Sequence, residues 1–198
     1  MGKRAICHAC LKALPACICK TIKSIDNQHF IHILQDPSEE KKAIGTARIL
    51  DLSLTRVQIT VGECFDASLF DLDNCFLVFP DPTAIPASEF VDKENITINK
   101  RSQFILLDGS WKKAFKLLMC NPFLQSLPKV MINVEGKSTY RIRKSPRDDG
   151  LSTVEAGYYL LSQLENDNDK FLPLLKSFDY MIDYQISRIP ADVYQKNY

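Results

Sequence analysis

The chain alternates short apolar runs with longer segments in which apolar residues recur every three or four positions. The apolar runs predict β-strands at 29–34, 57–61, 75–79, 104–107 and 129–134. The amphipathic segments predict helices at 36–54, 110–120, 152–165 and 171–189. Strands that alternate with helices predict an α/β fold, with a mainly parallel sheet sandwiched by helices.

Two helix starts carry capping signals. Asp36, Pro37 and Glu39 occupy the N-cap, first-turn and N3 positions of the first predicted helix. A second capping box, from Ser152 to Glu155, opens the helix that follows Gly150. A helix N-terminus suits a carboxylate or phosphate ligand because its N–H groups and positive dipole end are exposed there. Most capping boxes, however, only cap their helix.

The segment from Phe104 to Trp111 combines a strand, a turn and a helix start. Its apolar run ends on Asp108, turns at Gly109 and enters a basic amphipathic helix that carries the only tryptophan, Trp111. Open α/β sheets bind ligands outside the carboxyl ends of their strands. Asp108 is therefore a candidate proton acceptor. The alternative is an ordinary helix cap followed by a core tryptophan.

Four of the seven cysteines lie within the first nineteen residues. Four thiolates suit a tetrahedral Zn²⁺, and a CxxC turn presents two sulfurs to one metal. With four protein ligands no coordination position stays open, so such a metal would be structural. An iron–sulfur cluster also uses four cysteines. The predicted ligands are Cys7, Cys10, Cys17 and Cys19. Residues 1–24 are interpreted as a cysteine-rich metal-binding module and residues 25–198 as the main domain.

Composition and charge exclude several classes of protein. The 198 residues are 45% hydrophobic and 25% charged, as in an ordinary globular domain, and the net charge is +1. No apolar run approaches the roughly 18 residues that span a bilayer. No hydrophobic signal core follows the first residues, so a cytoplasmic protein without a membrane partner is expected. P-loop, GxGxxG, HExxH and GxSxG motifs are absent, which argues against nucleotide hydrolysis and against metalloprotease or serine hydrolase chemistry.

Basic residues cluster locally although the net charge of the chain is only +1. The helix after Asp108 carries Lys112 and Lys116. In 140–144, Arg141 and Arg143 alternate with Tyr140 and Ile142, as on a strand with one basic face. Such a face could follow a phosphate backbone while an aromatic ring stacks on a base. The alternative is an ordinary solvated surface.

Taken in chain order, five segments resemble the DTW-domain family of tRNA-uridine aminocarboxypropyltransferases. They run from Cys7 to Leu161, and they are CHACLKALPACIC, LQDPSEEKKAIGTARIL, LVFPDP, LLDGSWKKAFKLL and YRIRKSPRDDGLSTVEAGYYLL. Two positions depart from the family pattern. Ser110 replaces the usual threonine before the tryptophan, and Asp36 replaces a histidine that usually precedes the proline.

The resemblance implies transfer of the 3-amino-3-carboxypropyl group of S-adenosylmethionine to N3 of a uridine in tRNA. It also implies a fold related to the knotted SPOUT methyltransferases. Uridine N3 must lose its proton to attack, so a positioned carboxylate is the expected partner, and Asp108 is the candidate catalytic base. The hydroxyls and backbone of Ser152 and Thr153 would hold the methionine carboxylate of the donor.

On the same resemblance, the donor pocket would be built from the loops after the strands. The expected cofactor-binding residues are Phe79, Pro80, Asp81, Leu107, Ser110, Trp111, Leu151, Ser152, Thr153 and Glu155. The expected tRNA contacts are Arg48, Lys112, Lys116, Tyr140, Arg141, Arg143 and Lys144.

Two other functions fit the same residues. One is a non-catalytic zinc-knuckle module that binds structured RNA, although a pure binder needs no carboxylate at a strand end. The other is a SPOUT-like RNA methyltransferase that uses the same cofactor. The sequence leaves open which tRNA and which uridine are modified. It also leaves open the oligomeric state, for which a monomer is the simpler assumption.

Overall fold

A computed structural model of the protein describes residues 5–90, 102–134 and 150–189. Six strands form one sheet in the order β2-β1-β5-β3-β6-β4, and every pairing in it is parallel. The strands are β1 (Phe30–Gln35), β2 (Val57–Val61), β3 (Cys75–Val78), β4 (Ile85–Pro86), β5 (Gln103–Asp108) and β6 (Lys129–Met131). The predicted α/β class and parallel sheet are confirmed.

Five α-helices and five short 3₁₀ turns accompany the sheet in the described part of the chain. The helices are α1 (Ala47–Ser53), α2 (Trp111–Cys120), α3 (Pro122–Ser126), α4 (Thr153–Glu165) and α5 (Asn168–Ile186). The 3₁₀ turns are Leu14–Ala16, Cys19–Thr21, Ala67–Leu69, Leu72–Asn74 and Ala87–Phe90. No helix among the described residues is both long enough and apolar enough to cross a membrane.

Each face of the sheet is buried against different helices. Ile31 and Leu106 belong to a core formed with α1, α4 and α5. Leu34 and Ile105 belong to a second core, which includes residues of α2 and α3. Neighbouring residues in a strand point to opposite faces, so the continuous apolar runs of β1 and β5 are explained by burial on both sides.

The largest error of the sequence prediction lies after β1, where a helix was expected to begin at Asp36. Residues 36–45 instead form successive turns, and the helix begins only at Ala47. The Asp36 carboxylate accepts a hydrogen bond from the backbone N–H of Ser38 at 3.0 Å. The Asp36 N–H, which a capping box would join to Glu39, instead donates to the carbonyl of Asp108 at 3.1 Å. The predicted capping box is therefore wrong at this position.

Other boundaries differ by smaller amounts. The helix α2 ends at Cys120 as predicted, and Pro122 begins the short helix α3, which was not predicted; proline is well tolerated in the first turn. The strand β6 ends at Met131, and α5 begins at Asn168 after the N-cap Asp167. The two-residue strand β4 was not predicted. The second capping box is confirmed, with the Ser152 N–H donating to a Glu155 carboxylate oxygen at 2.8 Å.

Candidate active site and cysteine cluster

Asp108 lies at the last position of β5, in the tight turn that leads into α2. A Cβ atom on Gly109 would lie 2.8 Å from the Cβ of Lys113, so this close approach of turn and helix requires a glycine. Ser110 is the extended N-cap residue, and its carbonyl accepts a hydrogen bond from the Ala114 N–H at 2.8 Å. The turn therefore fixes Asp108 directly between a central strand and a helix start.

Asp108 is buried, with 5% of its surface exposed, and its carboxylate accepts hydrogen bonds from two other elements. Gln35 is its register partner on β1, and Gln35 Nε2 donates to Asp108 Oδ2 at 2.7 Å. The hydroxyl of Thr153, at the start of α4, donates a short hydrogen bond to Asp108 Oδ1. The carboxylate is thus held between β1 and α4, and we call Gln35, Asp108 and Thr153 the carboxylate triad.

The first turn of α4 places its polar side chains in internal hydrogen bonds. Ser152 Oγ donates to Glu155 Oε2 at 2.7 Å, and Glu155 is almost fully buried. The Val154 N–H points to the hydroxyl of Thr46 at 3.4 Å, which links α4 to the residue before α1. The hydroxyl protons of Ser152 and Thr153 are both donated within the protein. Ser152 Oγ also accepts a hydrogen bond from the Glu155 N–H at 3.4 Å, as the cap of α4.

A second charged group adjoins the turn after β5. Lys113 Nζ lies 2.8 Å from Glu39 Oε1 and 3.8 Å from Asp36 Oδ1. The hydrogen bond from the Ser38 hydroxyl, together with nearby Lys113, holds the pKa of Asp36 below its usual range. The hydrogen bond to Glu39 raises the pKa of Lys113. These contacts fasten the loop after β1 onto α2.

A cleft of about 390 Å³ opens at the carboxyl ends of β3, β5 and β6, beside the start of α4. Apolar residues make up most of its lining, and the rings of Phe79 and Trp111 meet edge to face with their centroids 6.2 Å apart. Its volume and apolar character are typical of small-molecule sites. The lining consists of Val78, Phe79, Pro80, Leu106, Leu107, Gly109, Trp111, Ala114, Val130, Met131, Ile132, Val134, Gly150, Leu151, Ser152, Thr153 and Ala156.

Most of the predicted cofactor-binding residues lie together around this cleft. Those that line it are Phe79, Pro80, Leu107, Trp111, Leu151, Ser152 and Thr153. Among the described residues, Asp81, Ser110 and Glu155 are outside the lining. Asp81 caps a turn by accepting from the Thr83 N–H at 2.9 Å. Ser110 occupies the N-cap position of α2 without a side-chain capping hydrogen bond, and Glu155 belongs to the capping box of α4.

The sequence interpretation missed the part of the lining at the end of β6 and just after it, and it missed Gln35. That part consists of Val130, Met131, Ile132 and Val134. The rule that ligands bind at the carboxyl ends of parallel strands would have included the first group. Gln35 carried a weaker signal, since it is a polar residue that ends a buried strand.

The predicted RNA-binding residues are placed differently from one another. Lys112 is exposed on α2, and Lys116 forms an ion pair with Glu63 at 2.7 Å. Arg48 Nη2 donates to the carbonyl of Ala9 at 2.6 Å, so this arginine joins α1 to the cysteine-rich segment. Tyr140, Arg141, Arg143 and Lys144 lie outside the described residues.

The four predicted metal ligands form one cluster, which we call the thiol cluster. The Sγ atoms of Cys7, Cys10, Cys17 and Cys19 all lie within 4.8 Å of one another. The Cys7–Cys19 and Cys10–Cys17 sulfur distances are 3.6 and 3.7 Å. Tetrahedral ligands at 2.3 Å from Zn²⁺ would be about 3.8 Å apart, so the arrangement fits a metal of this kind.

The surroundings of the thiol cluster also favour a thiolate at one position. Backbone hydrogen bonds, chiefly from Cys10, lower the pKa of Cys7 to about 6. Burial raises the pKa of Cys19 to about 12, and a bound cation would offset this cost because metals bind the deprotonated thiol.

Buried contacts attach the thiol cluster to the rest of the protein. Lys12 is 4% exposed, and its Nζ donates to the carbonyls of Ala43 and Gly45 at 2.6 and 3.2 Å. Cys10 and Ile18 belong to the same apolar core as α4 and α5. The segment that carries the thiols therefore packs onto the sheet domain.

Fold and cleft together define an α/β protein with a ligand cleft at the carboxyl edge of a parallel sheet. The model of the DTW domain matches residues 4–186, and the chain therefore belongs to the DTW-domain family. The family resemblance inferred from the sequence is thus confirmed.

Curated relatives with this similarity carry one name in three animals. The chain is 27% identical to tRNA-uridine aminocarboxypropyltransferase 2 of Drosophila melanogaster, over 93% of this chain and 76% of the fly protein. It is 24% and 23% identical to the proteins of that name from Mus musculus and Macaca fascicularis, over 93% of this chain. The chain spans only 64% of the length of these two relatives. No solved structure matches it significantly.

Proposed function

We propose that this protein is a tRNA-modifying transferase. It transfers the 3-amino-3-carboxypropyl group of S-adenosylmethionine to N3 of a uridine in tRNA. Membership of the DTW-domain family and the names of the animal relatives support the reaction class. The observation that carries the proposal is the buried carboxylate of Asp108, which is hydrogen-bonded to Thr153, a residue that lines an apolar cleft.

The cleft is suited to binding S-adenosylmethionine, the proposed group donor. Its volume of about 390 Å³ lies in the range of small-molecule sites, and Phe79 and Trp111 supply aromatic surface for a base. The start of α4 puts a positive dipole end at the wall, where the carboxylate of an amino acid group would be stabilised. Phe79, Pro80, Leu107, Trp111, Leu151 and Ser152 would hold the donor, together with the backbone of Thr153.

The protein's own contribution is orientation and proton removal. When bound, the donor supplies a sulfonium that activates the carbon to be transferred. The apolar lining excludes water and orients that carbon toward the nucleophile, which accounts for a large part of such a rate enhancement. Asp108 takes the proton that uridine N3 must lose, as a positioned general base.

The tRNA and the metal complete the proposal. Lys112 and Lys116 on α2, together with Arg48, Tyr140, Arg141, Arg143 and Lys144, would contact the tRNA. The thiol cluster would bind one structural zinc ion. We also propose the SPOUT-like knotted topology, which follows from the family resemblance. The division into residues 1–24 and 25–198 and a cytoplasmic location are proposed from the sequence pattern itself.

Nucleoside mass spectrometry tests the proposal directly. The purified protein is incubated with S-adenosylmethionine and with tRNA from cells that lack the modification, and the nucleosides are then analysed. We expect a uridine that has gained the aminocarboxypropyl group. A gain of a methyl group would instead identify a methyltransferase. Unchanged nucleosides at saturating donor would contradict transferase activity altogether.

A further inference from the structure

Thr153 stands between the buried carboxylate and the cleft. Its side chain lines the cleft, whereas Asp108 does not belong to the described lining and is almost fully buried. The Thr153 hydroxyl donates its only proton to Asp108 Oδ1. A hydroxyl that donates in one direction keeps two lone pairs for others. The oxygen of Thr153 is therefore available to a ligand as an acceptor.

Gln35 fixes the direction of these hydrogen bonds. Its amide nitrogen donates to Asp108 Oδ2 at 2.7 Å, so each oxygen of the carboxylate receives a donor. An ionised carboxylate is the acceptor-only form that two such donors fit. Because Asp108 accepts on both sides, the Thr153 proton points to Asp108 and not into the cleft.

The local charge favours a neutral hydrogen-bond donor over a cation at the Thr153 oxygen. The positive end of the α4 dipole lies beside this oxygen and offsets the charge of Asp108. An imide N–H, such as that of a uracil ring, is a neutral donor whose proton must leave before its nitrogen can attack.

We propose that Thr153 is a catalytic residue that relays the N3 proton of the uracil ring to Asp108. This inference rests on the proposed function. As the N3 lone pair forms the bond to the transferred carbon, the N3 proton moves to Thr153 Oγ. The original hydroxyl proton moves to Asp108 Oδ1 at the same time. The carbon–sulfur bond breaks, and its electron pair stays on sulfur, which leaves as a neutral thioether. Gln35 is a positioning residue that holds Asp108 in the acceptor orientation.

Thr153→Val and Thr153→Ser test the relay as a matched pair. Valine keeps the shape and fills the space with a methyl group, so that no water can replace the hydroxyl, whereas serine keeps the hydroxyl. We expect Thr153→Val to lose about 10²–10⁴ in kcat, the usual contribution of general acid–base catalysis. Thr153→Ser should keep most of the wild-type kcat. Donor affinity, measured by calorimetry on both folded variants, should stay near that of the wild type.

The pH dependence separates a relay from a structural role. Without the hydroxyl, only uridine already deprotonated in solution can react. The log of kcat for Thr153→Val should therefore keep rising with pH, with a slope of about one, at pH values where the kcat of the wild type no longer changes.

Each contrary result has a distinct meaning. Wild-type kcat in Thr153→Val would overturn the relay. A loss confined to donor affinity, with kcat unchanged, would show that Thr153 binds the donor's amino acid group instead. An inactive wild-type protein would overturn the proposed function itself, and so the two failures are distinguishable.

Discussion

The thiol cluster and the carboxylate triad are both small groups built around ionisable side chains, yet the chain assembles them in opposite ways. The four cysteines lie within thirteen residues of one another in the sequence. Gln35 and Thr153, by contrast, are 73 and 45 residues from Asp108. The thiols are brought together by local turns, and the carboxylate triad is brought together by strand register and helix packing.

Because of this difference, the carboxylate triad and the thiol cluster should respond to different perturbations. The Asp108 carboxylate already has protein donors on both oxygens, so no added ion is needed to hold it. The thiol cluster has sulfurs close to other sulfurs, an arrangement that a metal would stabilise. Mutations that shift helices should therefore affect the triad, whereas metal removal should affect the thiol cluster.

The largest effect is expected from Asp108→Asn. The substitution keeps the size of the side chain but removes the base, so turnover should fall by about 10²–10⁴. Metal content should not change, because the thiol cluster does not depend on Asp108. Steady-state kinetics and elemental analysis measure the two properties. Near-normal turnover would mean that Asp108 only caps or stabilises the turn.

Cys7→Ser tests the thiol cluster. The variant should lose its bound metal and unfold at a lower temperature, because metal-binding energy contributes to folding. Cys64→Ser is a matched control, since Cys64 is an exposed cysteine outside the cluster. Metal content and thermal unfolding should distinguish the two variants. If wild-type protein purified without chelators contained no metal, the zinc assignment would be wrong, and iron with sulfide would indicate a cluster instead.

Gly157→Ala should disturb the carboxylate triad but not the thiol cluster, because it changes the packing of a helix. A Cβ at residue 157 would lie 2.7 Å from Leu50 Cδ2, so either the buried Leu50 side chain or α4 itself must shift. Overpacking of this kind, relieved by a new Leu50 rotamer or by a shift of α4, costs about 1–3 kcal/mol of unfolding free energy. Because α4 carries Thr153, turnover should also fall, while metal content stays constant. Denaturant unfolding and kinetics check both effects. Unchanged stability would show that Leu50 adjusts without moving the helix.

The smallest effect is expected at Lys112, an exposed residue outside both groups. If it contacts a phosphate, Lys112→Ala should reduce the slope of log tRNA affinity against log salt by roughly 0.7–0.9. Donor affinity should stay constant. Binding measured at several salt concentrations decides this, and an unchanged slope would assign Lys112 to an ordinary solvated surface.

Local patterns explain which parts of the molecule could be predicted from the sequence. The turn from Asp108 into α2 and the capping box at Ser152 depend on neighbouring residues, and both were predicted correctly. The helix expected at Asp36 failed because Glu39 bonds to Lys113, 74 residues away, instead of to the backbone of Asp36. A capping pattern cannot reveal such a competing partner.

The same limit applied within the candidate site. Thr153 was predicted as a cleft residue on the family resemblance, supported by its place at a helix start. The direction of its hydrogen bond depends on Asp108 and Gln35, which only the folded sheet brings near. Residues at 135–149, where four predicted RNA contacts lie, are outside the part of the chain that the structure describes.

The position of β1 in the sheet has a consequence for the order of folding. On one side β1 pairs with β2, whose residue Val57 lies opposite Ile31, so only a short segment must close. On the other side Phe30 pairs with Gln103, and the intervening chain is much longer. Long loops cost more entropy to close, and contacts between distant residues slow folding. The β1–α1–β2 unit should form early, and the Gln35–Asp108 contact should form late. Refolding kinetics would then show formation of the β1–α1–β2 unit before the cleft gains affinity for its ligand.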